Sequence, residues 1–107
     1  MTPPAQNPGQ PWGVHLSHVV ADSLLRIQRQ ASEEGRGEEC LAAFRHVVER
    51  LQSDPTTIGE PLYRLPGLHL MVRTVAVRPL AVIFGVSEDH PLVFIRSVRL
   101  LSRQSWF

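Results

Sequence analysis

Three apolar, β-branched runs, LHLMVRTVAV (68–77), LAVIFGVS (80–87) and LVFIRSVRLL (92–101), are joined by links of only two and four residues. Links that short leave antiparallel hairpins as the only way to pair consecutive strands, because parallel neighbours need a long crossover. The last third of the chain is therefore expected to be an antiparallel meander. Its middle run carries no charge from residue 80 to 86, which places it at the centre of the sheet with one face covered. Upstream the period of the apolar residues changes from two to that of a helix. Val20, Leu24, Ile27 and Ala31 define one stripe; Leu41, Phe44, Val48 and Leu51 define a second, with Arg45 and Arg50 outside it.

Ser17 is a candidate N-cap for the first helix, expected to run to about Glu34, and Gly35 can take the left-handed conformation that ends it. Glu38 and Glu39 suit the positive end of the second helix. With so short a connection, residues 18–52 read as a helical hairpin. Before it, WGVHLS alternates as a short strand with Trp12, Val14 and Leu16 on one side. After it, LQSDPTTIGEPLYRLPG (51–67) turns the chain from helix to sheet. Its Pro55 cannot continue the helix, and Gly59 and Pro61 are expected to hold off regular structure until a short strand at LYRL (62–65). The expected fold class is α+β: a helical hairpin packed on a twisted antiparallel β-sheet, with a short N-terminal strand.

At 107 residues the chain has room for one modest core, so residues 12–107 are expected to form a single domain. Residues 1–11 hold four of the nine prolines and are expected to be a flexible lead-in. No apolar stretch is long enough to span a bilayer, and MTPPAQNPGQP has neither the charge nor the apolar centre of a secretory leader, so a cytoplasmic location is expected. The single Cys40 has no partner for a disulfide or thiolate metal site and reads as a small core residue. Charge is uneven: residues 1–61 are net −3 and residues 62–107 net +4, with arginine as the only cationic type besides histidine. That asymmetry suggests an anionic partner.

The joints of this pattern resemble the RelE/ParE superfamily of toxins from bacterial type II toxin–antitoxin modules. Leu51, Asp54-Pro55, Gly59 and Pro61-Leu62 match a signature after the second helix, followed by a strand with Arg73, the VIFGV strand (82–86), the SEDH turn and a closing LVFIRSV strand. The resemblance covers nearly all of the chain from Trp12. It implies a plasmid-stabilisation-like, growth-regulating module in which a cognate antitoxin neutralises the toxin. RelE-like members cleave messenger RNA in the ribosome with basic and often tyrosine side chains; ParE-like members bind and poison DNA gyrase.

This chain departs from the nuclease pattern. Pro79-Leu80-Ala81 stands where an arginine is common, with Arg78 displaced; no lysine occurs on the preceding strand; and the end of the chain offers Arg99, Arg103, Trp106 and Phe107 in place of a basic pair and a tyrosine. The expectation therefore leans toward a non-enzymatic, target-binding toxin, or a divergent relative of one. The alternatives are a metal-independent, ribosome-dependent endoribonuclease and a non-toxic domain that pairs with an antitoxin or with itself as a homodimer.

Cleavage by 2′-hydroxyl attack needs a base, an acid and cations for the developing phosphorane charge. His69, Arg73, Arg96, Arg99 and Arg103 are the candidates, and equal parity places His69 and Arg73 on one face of a strand. The same side chains also suit an ordinary solvated sheet face. Arg64, Arg73, Arg78, Arg99, Arg103, Trp106 and Phe107 are the candidate target- or nucleic-acid-binding set. The two aromatics could stack on bases or cover the hairpin, and Arg64 could guard an edge strand. No cofactor is expected, and the histidines show no metal-ligand spacing.

Overall fold

A computed structural model describes residues 11–102. Its elements run β1 (Gly13–Leu16), α1 (His18–Glu33), α2 (Gly37–Ser53), β2 (Glu60–Leu65), a 3-10 turn (Pro66–Leu68), β3 (Leu70–Val77), β4 (Leu80–Ser87) and β5 (Leu92–Leu100). Two helices pack on one face of a five-stranded sheet in the order β1-β5-β4-β3-β2, with the uncharged β4 at its centre. The meander β2-β3-β4-β5 is antiparallel throughout, as the short links require. β1, whose partner the sequence left open, lies parallel to β5, with Gly13 opposite Leu92 and Leu16 opposite Ile95. The sheet is therefore mixed. The expected flexible segment lies, but for Pro11, outside the described residues.

Local chemistry sets the boundaries. The Ser17 hydroxyl accepts from the Val20 amide at 3.1 Å, satisfying one of the free donors at the start of α1. Gly35, at φ 75°, closes the helix, and Arg36 N returns to the Ala31 carbonyl at 2.7 Å. Glu38 and Glu39 stand in the first turn of α2 and Arg50 in its last, each at the end of the dipole that favours its charge.

Register then assigns the faces. Opposed residues share a side, so Leu80, Val82, Phe84 and Val86 of β4 lie with Val98, Ile95 and Val93 of β5 and with Val75 and Val77 of β3. These meet Val20, Ala31, Cys40, Ala43, Val47 and Leu51 from the helices, forming the core. The connector contributes Ile58 to it, and Pro55 is buried as well. Contrary to expectation, regular structure resumes at Glu60 rather than Leu62. Pro61 is accommodated because β2 is an edge strand, at a register shift between Pro61 and Tyr63.

Candidate functional site

The face of the sheet turned away from the helices is the open face, and the same register lists its occupants. Tyr63, Leu65, Leu70, Val72, Thr74, Ile83, Gly85, Phe94, Ser97 and Arg99 are set there by their cross-strand partners. Much of it is apolar. Leu70 leans over Gly85, where an added Cβ would come within 3.4 Å of a Leu70 methyl, and Val72, opposite both Gly85 and Tyr63, is fully buried. His15 of β1 stacks on Phe94 with ring centroids 5.6 Å apart. At the β4–β5 end a groove of about 520 Å³ is walled by Leu68, Leu70, Leu92 and Phe94, with Asp89 and Arg96 also lining it.

The cationic candidates do not gather on this face. Arg73 is opposite Phe84, which puts it on the helix side of β3. Its guanidinium turns to the connector, where Nε donates to the Ile58 carbonyl at 3.1 Å and Nη2 to that of Gly59 at 3.2 Å. His69 is not in the strand at all. It occupies the left-handed region at φ 53°, at the end of the 3-10 turn, so alternation does not align it with Arg73, and the expectation of a shared face fails. Its Nδ1 lies 3.2 Å from a carboxylate oxygen of Asp89.

Arg99 sits opposite Ala81, whereas the His69 carbonyl accepts from Glu88, seven residues further along the chain of β4. At ~3.3 Å per residue the two are about 23 Å apart. Arg96 is the extra residue of a bulge, between Ile95 opposite Phe84 and Ser97 opposite Ile83. Arg64 makes a bidentate pair with Glu88, at 2.6 and 2.8 Å, linking the edge strand to the β4–β5 turn. The hydrogen bond to Glu88 strengthens the arginine's hold on its proton, and the same bond holds the Glu88 carboxyl below its usual range. Arg78 is in the β3–β4 turn, exposed. Arg103, Trp106 and Phe107 lie outside the described residues. Among the described residues no cluster of metal-ligating side chains exists, and no helix is long and apolar enough to cross a membrane.

Sequence reasoning missed Arg36. It is 3% exposed between two glycines, and its Nη1 donates to the Leu101 carbonyl at 2.9 Å, while Nη2 pairs with Glu34. It ties the helix–helix connection to the end of β5. Tyr63, the one tyrosine of the chain, belongs to the open face.

No family model and no curated protein matches the chain. A chain of the solved "Chromosomal ParDE TA system from P. aeruginosa" matches it with a TM-score of 0.60, over 85% of this chain and 97% of that one. The fold is RelE/ParE-like. The two chains are 18% identical, so the likeness speaks for the RelE/ParE-like scaffold, and one scaffold hosts different activities. The open face of this chain is built from Leu70, Val72, Tyr63 and Phe94, with Arg99 at its border and Arg73 turned away.

Proposed function

We propose that the chain is the toxin component, or a divergent relative, of a bacterial type II toxin–antitoxin module, acting in the cytoplasm as a single domain from about Trp12. In this reading it works by binding a protein target such as DNA gyrase and is held in check by a cognate antitoxin. The observation that carries the reading is that Arg73 and Arg99, two of the candidates for RNA cleavage, lie away from His69, although Arg96 lines the groove with Asp89, the partner of His69. A base, an acid and a phosphorane-stabilising cation must all reach one phosphate within hydrogen-bonding distance. Here Arg73 is committed to two connector carbonyls, His69 faces Asp89, and Arg99 is about 23 Å from His69 by strand length.

The open face has the character of a protein contact. Tyr63 is 49% exposed, Leu68 65% and Phe94 37%, and aromatic and aliphatic side chains in one patch favour protein surfaces over phosphates. The likeness to a chain of a ParDE system supports the antitoxin as partner.

The test is inducible expression in a bacterial host, following growth, primer extension on abundant messenger RNAs and gyrase supercoiling. Growth arrest with intact transcripts and impaired supercoiling is the expected result. New cuts inside reading frames would overturn it in favour of an endoribonuclease, and unimpeded growth would favour a non-toxic interaction domain or a self-associating one.

A further inference from the structure

Arg96 stands in the bulge of β5, between Ile95 on the core side and Ser97 on the open side. A bulge leaves its extra residue without a cross-strand partner and re-aims the side chain. Here the side chain reaches the groove of about 520 Å³ on the open face, which Phe94, two residues earlier, also lines. Arg96 is exposed, and among the described residues no group pairs with its guanidinium. Arg64 and Arg73, by contrast, are committed to Glu88 and to the connector carbonyls.

The walls of the groove are held in place before anything binds. Leu70 lies across Gly85, and the Phe94 ring is braced by His15, at 5.6 Å between centroids and 28° between planes. Ser87, Asp89 and His90 of the β4–β5 turn bound one end. That turn is fixed by the Ser87 hydroxyl, which accepts from the amides of Asp89 and His90 at 3.2 and 3.1 Å, and by the approach of His69 Nδ1 to Asp89 at 3.2 Å. Leu92 stands beside the turn and Arg96 four residues on, one of them taken up by the bulge. At ~3.3 Å per residue, about 10 Å of apolar wall therefore separates the turn from the guanidinium. Apolar walls with a few fixed polar groups, at this volume, are the character of a small-ligand site.

We propose that this groove binds a small amphipathic carboxylate, its apolar body laid on Leu68, Leu70, Leu92 and Phe94 and its acid group paired with Arg96. A planar guanidinium matches a carboxylate in a bidentate pair. Asp89, at the turn end, repels a second anionic group, so the ligand carries one acid, at one end. A nucleotide is disfavoured: the described lining residues include no helix N-terminus and no glycine to cradle its phosphate. A polypeptide running through the groove is disfavoured as well, because the β4–β5 turn bounds one end of it. The groove lies on the face proposed above to meet a protein target, so ligand and target exclude one another. That consequence rests on the function proposed above; the ligand site itself does not.

The experiment titrates the ¹⁵N-labelled full chain with octanoate and follows its amide spectrum. Comparison probes are octanol and octylammonium, which keep the apolar body and change the head, acetate, which keeps only the head, and adenosine monophosphate. Expected are saturable shifts at residues 68–70 and 87–96, with octanoate binding about tenfold or more tightly than each comparison probe. Arg96→Gln should lower octanoate affinity about tenfold, and Arg96→Glu should reverse the order of octanoate and octylammonium. Arg96 is exposed and outside the core, so both variants should keep the rest of the spectrum. Equal binding of octanol or octylammonium, unchanged affinity in Arg96→Gln, shifts centred on the helices or on Ser97–Leu100, tighter binding of adenosine monophosphate, or no shift at about 10 mM octanoate would each overturn the proposal. Growth arrest in the expression assay reports separately: a chain that binds octanoate without arresting growth loses the toxin reading and keeps the ligand site, and the converse result does the reverse.

Discussion

Arg73→Met separates a side chain that holds the fold from one that contacts a target. Methionine keeps most of the aliphatic stem on the helix side of β3 and deletes the donors to Ile58 and Gly59. A hydrogen bond from a charged group contributes ~1.5–3 kcal/mol when sheltered, and less when wet. The bond to Ile58 is part-buried and that to Gly59 is exposed, so we expect a combined loss of about 2 kcal/mol. With a urea slope of ~1.5 kcal/mol per M, the unfolding midpoint should fall by about 1.3 M. Arg73→Lys should fall between the two, because a single ammonium cannot span both carbonyls as a planar fork does. In the growth assay, Arg73→Met should lose activity only to the extent that it loses folded protein. A stability loss of less than about 0.5 kcal/mol, together with abolished activity, would refute this reasoning and return Arg73 to a direct part in function.

Gly59 and Gly35 both hold positive φ, at 72° and 75°, yet alanine should be tolerated very differently at the two. At Gly59 the new Cβ would fall 2.1 Å from the Thr74 carbonyl oxygen, while at Gly35 it meets nothing within 4 Å. Thermal scans should show Gly35→Ala costing about 1 kcal/mol and Gly59→Ala more than about 3 kcal/mol; equal losses would contradict the packing of the connector on β3. Arg64 holds the Glu88 carboxyl below its usual range, so the pair stabilises the fold above the unfolded pKa of Glu88 and that contribution disappears as pH falls through the lower folded value, below about pH 4.5. Arg64→Gln should raise the Glu88 titration midpoint measured by carbon NMR, and high salt should narrow the difference; an unmoved midpoint would argue against the pair. Burial pushes the Cys40 thiol up despite the nearby Arg36, so its reaction with a disulfide reagent should be slow at neutral pH and speed up across the urea transition. Rapid reaction of the folded chain would contradict its burial on the core side of α2.

Much of the architecture was legible because it follows from period and link length. Two-residue and four-residue links forced the meander, Ser17 and Gly35 marked the ends of α1, and the uncharged run at 80–86 identified the central strand. The candidate site was less legible, for reasons that lie in particular residues. Alternation aligns side chains only inside a strand, and His69 lies one residue before β3 in a left-handed turn, which its type does not announce. Arg73 keeps strand parity, but which parity faced the helices depended on register with β4, a long-range fact. Arg36 was invisible because sequence alone does not reveal that a guanidinium in a glycine-flanked turn will meet the carbonyl of Leu101, 65 positions away. Gly85 was the one overlooked signal on the open face, since a glycine inside a central strand often marks a close approach by something else, here Leu70.

The parallel pairing of β1 with β5 also carries a consequence for how the chain comes into being. The helical hairpin and the β2-to-β5 meander consist of neighbours in sequence and can organise as each part appears. Gly13, by contrast, waits for Leu92, and Leu16 for Ile95, so the contact that joins the first strand to the last closes a loop of 79 residues. Loop closure on that scale is a slow, late step compared with local hairpins. During synthesis the sheet therefore lacks its first edge strand until the final strand has emerged from the ribosome. Any binding surface that depends on β5 matures at the same moment, so a partner competing for that edge meets it as it forms.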